Sequence, residues 1–208
     1  MGDPKPLMSQ VCSKSMGITG LLSIKIISFL FLIADGFARA EAAVAILVQK
    51  EKDAKRNYAR VVNIRSSTDG FKHEGVMYPS RKMQERLLRE SYQQAGIDPA
   101  TVTYIEAHGT GTPTGDPEEL NSLHSVFCKG KTREKPLLLG SIKTNMGHTE
   151  AAAGLCGMAK VIGAIQTGTI PKTLFFNKPK PEEEHLFDGS MQVKLVSLYN
   201  HLHQWDMI

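Results

Sequence analysis

The sequence predicts a layered α/β fold, and three observations carry that expectation. Short apolar runs of strand length alternate with longer segments of helical period. Those segments carry recognisable start and stop signals. Two glycine-flanked histidine segments sit where strands are expected to end, the place where open α/β sheets bind ligands. With 208 residues, 41% hydrophobic and 22% charged, the chain can bury a core of ordinary domain size.

Taken in order, Ala42–Val48 is a run of small and branched apolar residues suited to a buried strand. Tyr58–Ile64 reads as a second strand, ending in the turn signal Ser66-Ser67-Thr68-Asp69-Gly70. After Pro79, Ser80 is placed to cap a helix with apolar positions at Met83, Leu87, Leu88, Tyr92 and Ala95. Gly96 closes that helix and Asp98-Pro99 opens the next turn. Val102–Glu106 is a short strand. Asp116-Pro117-Glu118-Glu119 marks a helix start, with Asp116 as N-cap, Pro117 in the first helical position and carboxylates at the positive end of the dipole. That helix runs to Gly130. Leu137–Ile142 is a further strand, with Lys143 on the strand leading into His148. The helix Thr149–Gln166 is so rich in Ala and Gly that it is expected to be buried on nearly every side.

Composition narrows the function classes. The formal charge of +4 is mild and the basic residues are dispersed, so no nucleic-acid partner is expected. Cys12, Cys128 and Cys156 are an odd, irregularly spaced set, which points to a reducing, cytoplasmic location. The seven histidines show no metal-ligand spacing, His201 and His203 in the tail included, and no metal is expected.

Residues 18–34, ITGLLSIKIISFLFLIA, admit three readings. A transmembrane helix needs about 20 apolar residues, and this run is short with Lys25 in its middle. A signal peptide would fit Lys5 and Lys14 before an apolar core. The third and preferred reading is a segment foreign to the domain behind it, as from a misassigned exon or truncated gene model. A membrane tether through 18–34 is the weakest functional reading.

The chemistry-bearing segments are Glu106-Ala107-His108-Gly109-Thr110-Gly111-Thr112, with Gly115-Asp116-Pro117 after it, and Gly140-Ser141-Ile142-Lys143-Thr144-Asn145-Met146-Gly147-His148. Either alone would be an ordinary loop histidine. Together, the strings EAHGTGTPTGDPEE and GSIKTNMGHTEAAAG resemble the paired histidine motifs of the β-ketoacyl synthases, the condensing enzymes of fatty-acid and polyketide assembly. The resemblance extends through ADGFARAEAAVAILVQK and NIRSSTDGFKHEGVMYPS, the latter closer to animal fatty acid synthase, and on to about Val196. It divides the chain into an unmatched leader (1–33), a partial ketosynthase domain (34–196) and an unmatched tail (197–208).

The resemblance implies a partial thiolase-like α-β-α fold, the carboxyl-terminal half of a ketosynthase, and an acyltransferase performing decarboxylative Claisen condensation of a malonyl thioester. It assigns catalysis to His108, His148 and Lys143, and contact with the phosphopantetheine arm to Thr110 and Thr112. No cofactor of its own is implied, since substrates arrive on the phosphopantetheine of acyl-carrier protein. The partners implied are malonyl and acyl carrier-protein thioesters, and the family allows a homodimer. Two neutral imidazoles can stabilise the developing enolate. Lys143 can instead be a structural ion-pair residue, and the threonines can be turn residues bonding their own backbone.

The family's nucleophilic Asp-Thr-Ala-Cys-Ser-Ser type turn has no counterpart here, and neither does its Gly-Phe-Gly-rich loop. One face of the core is therefore expected to be exposed and the chain aggregation-prone alone, with full condensation failing while decarboxylation remains conceivable. The alternative is a non-catalytic remnant that binds acyl-carrier protein or pairs with an intact synthase subunit.

Overall fold

A computed structural model describes residues 36–75, 77–176 and 178–193, together with the backbone of 198–199. The leader, Cys12, His201 and His203 lie outside the described residues.

Helix α1 (Arg81–Ala95) starts as its sequence dictates: the Ser80 hydroxyl accepts from the Met83 amide at 3.3 Å, and Gly96 ends it in the left-handed region at φ 68°. Its Leu88 and Tyr92 pack against the core. A three-ten turn at Pro99–Thr101, capped by the Asp98 carboxylate on the Ala100 amide (2.9 Å), leads into β1 (Tyr104–Glu106). Helix α2 (Gly115–Phe127) follows, then β2 (Leu137–Gly140), the four-residue helix α3 (Lys143–Met146), a three-ten turn Glu150–Ala152 and α4 (Ala153–Thr167). Strand β3 (Thr169–Ile170), a three-ten segment Pro181–Leu186, β4 (Met191–Val193) and β5 (Leu198–Tyr199) complete it.

Strands β1, β2 and β4 form a parallel sheet with β2 central, in register Tyr104↔Leu138 and Leu138↔Gln192. β3 and β5 pair antiparallel. Leu120, Leu123, Val126 and Phe127 of α2 pack with Leu137, Leu139, Met191 and Val193 of the sheet, and Tyr92 meets Phe127 edge-on at 5.0 Å. Burial of this kind supplies most of the stabilisation. Among the described residues, no helix is long and apolar enough to cross a membrane.

Several local expectations are corrected. Neither Ala42–Val48 nor Tyr58–Ile64 is a strand. Residues 42, 44 and 46 are half-buried and 43, 45 and 47 exposed, a strand-like alternation with no partner strand among the described residues. Without a ladder to complete, Leu47, Val48, Val61 and Ile64 stay in solvent. Asp116 is not the N-cap of α2 and Pro117 is not its first residue: the helix opens at Gly115 after Thr114, and both lie inside its first turn, the Asp116 carboxylate turned back to the preceding loop. The helix ends at Phe127 rather than Gly130. Lys143 does not lie on an extended stretch but opens α3. The small-residue helix α4 is buried along one side only, through Ala153, Cys156, Gly157, Lys160 and Ala164, whereas Gly154 and Gly163 face open space.

Candidate active site

Because β1 and β2 are parallel neighbours with Glu106 opposite Gly140, both histidine segments leave the same edge of the sheet side by side. The Ala107 amide donates to the Gly140 carbonyl (2.8 Å), extending the ladder by one residue. The Ser141 hydroxyl then donates to the carbonyls of His108 (3.2 Å) and Gly109 (3.4 Å). His108 and His148 end with ring centroids 5.3 Å apart and planes at 86°. A third segment closes the arrangement. The Gly36 amide donates to the Gly111 carbonyl (3.0 Å), the His148 amide to Ala38 (2.8 Å) and the Ala40 amide to His148 (2.9 Å), and the Phe37 ring lies 4.7 Å from the His148 ring. Phe37 lies within the resembling string ADGFARAEAAVAILVQK, but no role could be read for it there, because only the folded chain brings residues 36–40 to the second histidine.

Helix α2 holds the first loop. Asp116 and Glu119, three apart and so on one helix face, point back at it. Both Asp116 oxygens lie 3.1 Å from the Gly111 amide; Glu119 accepts from His108 N (2.6 Å) and Gly109 N (2.8 Å). Burial pushes the Glu119 pKa up, opposed by those two amides. Glu119→Ala is expected to leave both amides without their acceptor and to lower stability by about 1–3 kcal/mol, chiefly through the buried Gly109 amide, since His108 is exposed to water; denaturant unfolding reads it.

Electrostatics favour neutral imidazoles. His148 is buried, and its Nδ1 accepts from the Glu150 amide at 2.9 Å, which places its proton on Nε2. Glu150 reaches that geometry at a left-handed φ of 51°, and its carboxylate forms an exposed ion pair with Arg39 at 2.6 Å. Burial, then the Lys143 charge, holds the His148 pKa down. The same causes in the same order, with His148 third, lower His108 to about 4, although His108 presents one side to solvent. Lys143 is itself buried, and burial lowers its pKa against the opposing Glu119 and Glu106 charges.

Thr110 and Thr112 share a hydroxyl contact at 3.3 Å, and Thr112 Oγ1 accepts from the Gly115 amide at 3.1 Å. Cys128, buried at the end of α2, donates to the Ser190 carbonyl, and burial pushes its thiol up. Cys156 is buried against the Thr149 hydroxyl at 3.4 Å. Neither occupies the activated turn at a helix amino terminus that a thiolate nucleophile needs. Among the described residues, no group of three or more His, Cys, Asp or Glu could hold a metal ion. A cavity of about 300 Å³ lined by Arg89, Tyr92, Ile97 and Lys131 shares no residue with the histidine site.

A sequence model of the β-ketoacyl synthase carboxyl-terminal domain matches residues 58–177, more than half the chain. The chain belongs to that family. Fatty acid synthase of Anser anser anser is 48% identical over 134 residues, covering 64% of this chain and 38% of the relative. A highly reducing polyketide synthase of Aspergillus terreus is 47% identical over 154 residues, covering 72% of the chain and 6% of the relative. The ketosynthase from module 1 of the bacillaene synthase of Bacillus amyloliquefaciens superposes with TM-score 0.65 at 37% identity, over 71% of this chain and 26% of that one. The α/β architecture is thus that of the thiolase-like ketosynthases, and the chain spans well under half the length of these relatives.

Proposed function

We propose that this ketosynthase chain, over residues 34–196, carries the decarboxylating half of a condensing site of the fatty-acid-synthase type. The observation that supports it best is the pair of depressed-pKa imidazoles meeting at 5.3 Å on the two segments that leave adjacent parallel strands. In this reading the malonyl carboxylate leaves as carbon dioxide, and the electron pair of the broken C–C bond flows into the thioester as an enolate. Nε2–H of His148 and an N–H of His108 donate to that oxygen. The enolate carbon then takes up a proton from water, leaving an acetyl thioester; condensation, which would join that carbon to an acyl thioester carbonyl and release its thiolate, needs an acyl-bearing thiol that neither Cys128 nor Cys156 provides. Lys143 contributes positive potential for the incoming malonyl carboxylate.

Substrates of this class arrive as thioesters on the phosphopantetheine of an acyl-carrier protein. Thr110 and Thr112, beside His108, are proposed to contact that arm with the hydrogen-bonding capacity their mutual contact leaves. Assignment to fatty-acid rather than polyketide chemistry rests on the segment NIRSSTDGFKHEGVMYPS; overall identity does not separate the two, at 48% to the goose synthase and 47% to the fungal polyketide synthase. The odd, irregularly spaced set of cysteines supports a cytoplasmic location for this acyltransferase.

The test is incubation of the chain with malonyl thioester, followed by carbon dioxide capture. Release is expected, and no release above the protein-free control sinks the proposal. The pH profile should follow the imidazoles: release is flat near neutrality and falls as pH drops towards about 4, where His108 protonates. Stability follows the same sign. An unfolded histidine titrates near 6.5 and the folded one lower, so the unfolded chain binds more protons between these values and stability falls as pH falls through that window.

A second reading, a non-catalytic partner of an intact synthase subunit or carrier protein, is favoured by the exposed, unladdered segments at Leu47, Val48, Val61 and Ile64. Sedimentation would show a stable complex or a homodimer, with no carbon dioxide released.

A further inference from the structure

We propose that Glu106, gripped by Tyr104, Lys160 and the Ile142 amide, is a positioning residue that sets the spacing of the two histidine loops; this rests on the decarboxylating site described above. Tyr104 and Glu106 are two apart on β1 and share the sheet face that α4 covers. The Tyr104 hydroxyl donates to Glu106 Oε2 at 2.5 Å, and Lys160 Nζ on α4 lies 2.8 Å from the same oxygen, with side chains 2% and 10% exposed. The other oxygen, Oε1, accepts from the Ile142 amide. One carboxylate thereby joins the residue two before His108 to the residue immediately before Lys143.

Two glycines make the room. A Cβ at Gly157 would lie 3.2 Å from Glu106 Cγ, and one at Gly140 would lie 2.4 Å from the Tyr104 hydroxyl and 3.2 Å from Lys160 Nζ. The ammonium pairs with the carboxylate by charge and has no well-aligned hydrogen-bond acceptor. A buried pair of that quality is poor as a source of stability, because desolvation offsets most of its attraction. It does leave the carboxylate a single orientation, with Oε1 aimed at Ile142. A shift of Glu106 therefore moves the Lys143–His148 loop relative to His108, and misplacement of catalytic groups by about 1 Å costs on the order of a hundredfold in rate.

The test uses the full chain carrying Glu106→Gln, Gly157→Ala, Lys160→Met or the double variant Glu106→Gln/Lys160→Met. It reads thermal unfolding, the Ile142 amide resonance, the His108–His148 ring-proton cross-peak and carbon dioxide release. Gly157→Ala alters neither charge nor either loop, and only nudges Glu106 by a few tenths of an ångström. It and Glu106→Gln should shift the Ile142 amide, weaken the ring cross-peak and slow release by about tenfold or more. The double variant should regain the thermal stability that Lys160→Met loses, without regaining release. Wild-type Ile142 and ring signals in both Glu106→Gln and Gly157→Ala would mean that Glu106 only balances Lys160, overturning the proposal. Should Lys160→Met not fold, those two variants decide. Should the unaltered chain release no carbon dioxide, the decarboxylation reading falls, while the resonance signals still decide the positioning.

Discussion

His148→Ala is expected to slow carbon dioxide release from malonyl thioester by about 10²–10³-fold, the usual effect of deleting one donor to a developing oxyanion. The ring is the better fixed of the pair: its Nδ1 is occupied by the Glu150 amide, its backbone is tied on both sides to Ala38 and Ala40, and Phe37 covers one face. Removing the ring also takes the partner from the Glu150 amide, but Glu150 is exposed and water can replace the ring there, so the stability loss comes mainly from the vacated buried ring. His108→Ala separates the two effects, because its ring faces solvent on one side while its backbone stays clamped by Glu119. That variant should lose rate with little change in melting temperature. Donors acting on one oxygen are not additive, so the double variant should lose less than the product of the single losses. Carbon dioxide capture and calorimetry on the three variants measure all of this.

Gly147→Ala is expected to cost the most stability. Gly147 sits at φ 94°, where an L side chain costs about 1–3 kcal/mol. Its added Cβ would lie 2.8 Å from the Ala40 Cβ and 3.3 Å from the Ala38 carbonyl. Neither neighbour is the end of a long side chain that could swing away, and both belong to the backbone ladder that holds His148. Relief requires residues 38–40 to separate from the loop, so the melting temperature should fall together with the site. At about 2–4 °C per kcal/mol for a chain of this size, thermal unfolding reads it easily. Gly163→Ala is the contrast: it lies inside α4 facing open space and should stabilise by up to about 1 kcal/mol. Equal effects at the two positions would contradict the packing described here.

Local signals were legible where they act through the nearest few residues. Ser80 and Gly96 bound α1 because a cap is a contact between residues two or three apart. The Asp98 turn follows for the same reason. The failures share a cause. Ala42–Val48 and Tyr58–Ile64 have strand-like composition, but a strand exists only with a partner to complete its hydrogen bonds. The acidic start of α2 reads as capping and dipole chemistry, whereas Asp116 and Glu119 spend their carboxylates on amides of the preceding loop. The glycines of α4 read as burial on every side, yet a helix can carry such residues on a face that nothing covers.

By itself, the sequence determined the family, the layered α/β class and the two loops bearing His108 and His148, because these depend on residue types at short, fixed spacings. Tertiary structure alone decided that the rings meet at 5.3 Å, that Phe37 and residues 38–40 close over His148, and that Glu106 links both loops to Lys160. Those contacts join residues tens of positions apart, and only the parallel pairing of β1 with β2 and the packing of α4 bring them within reach.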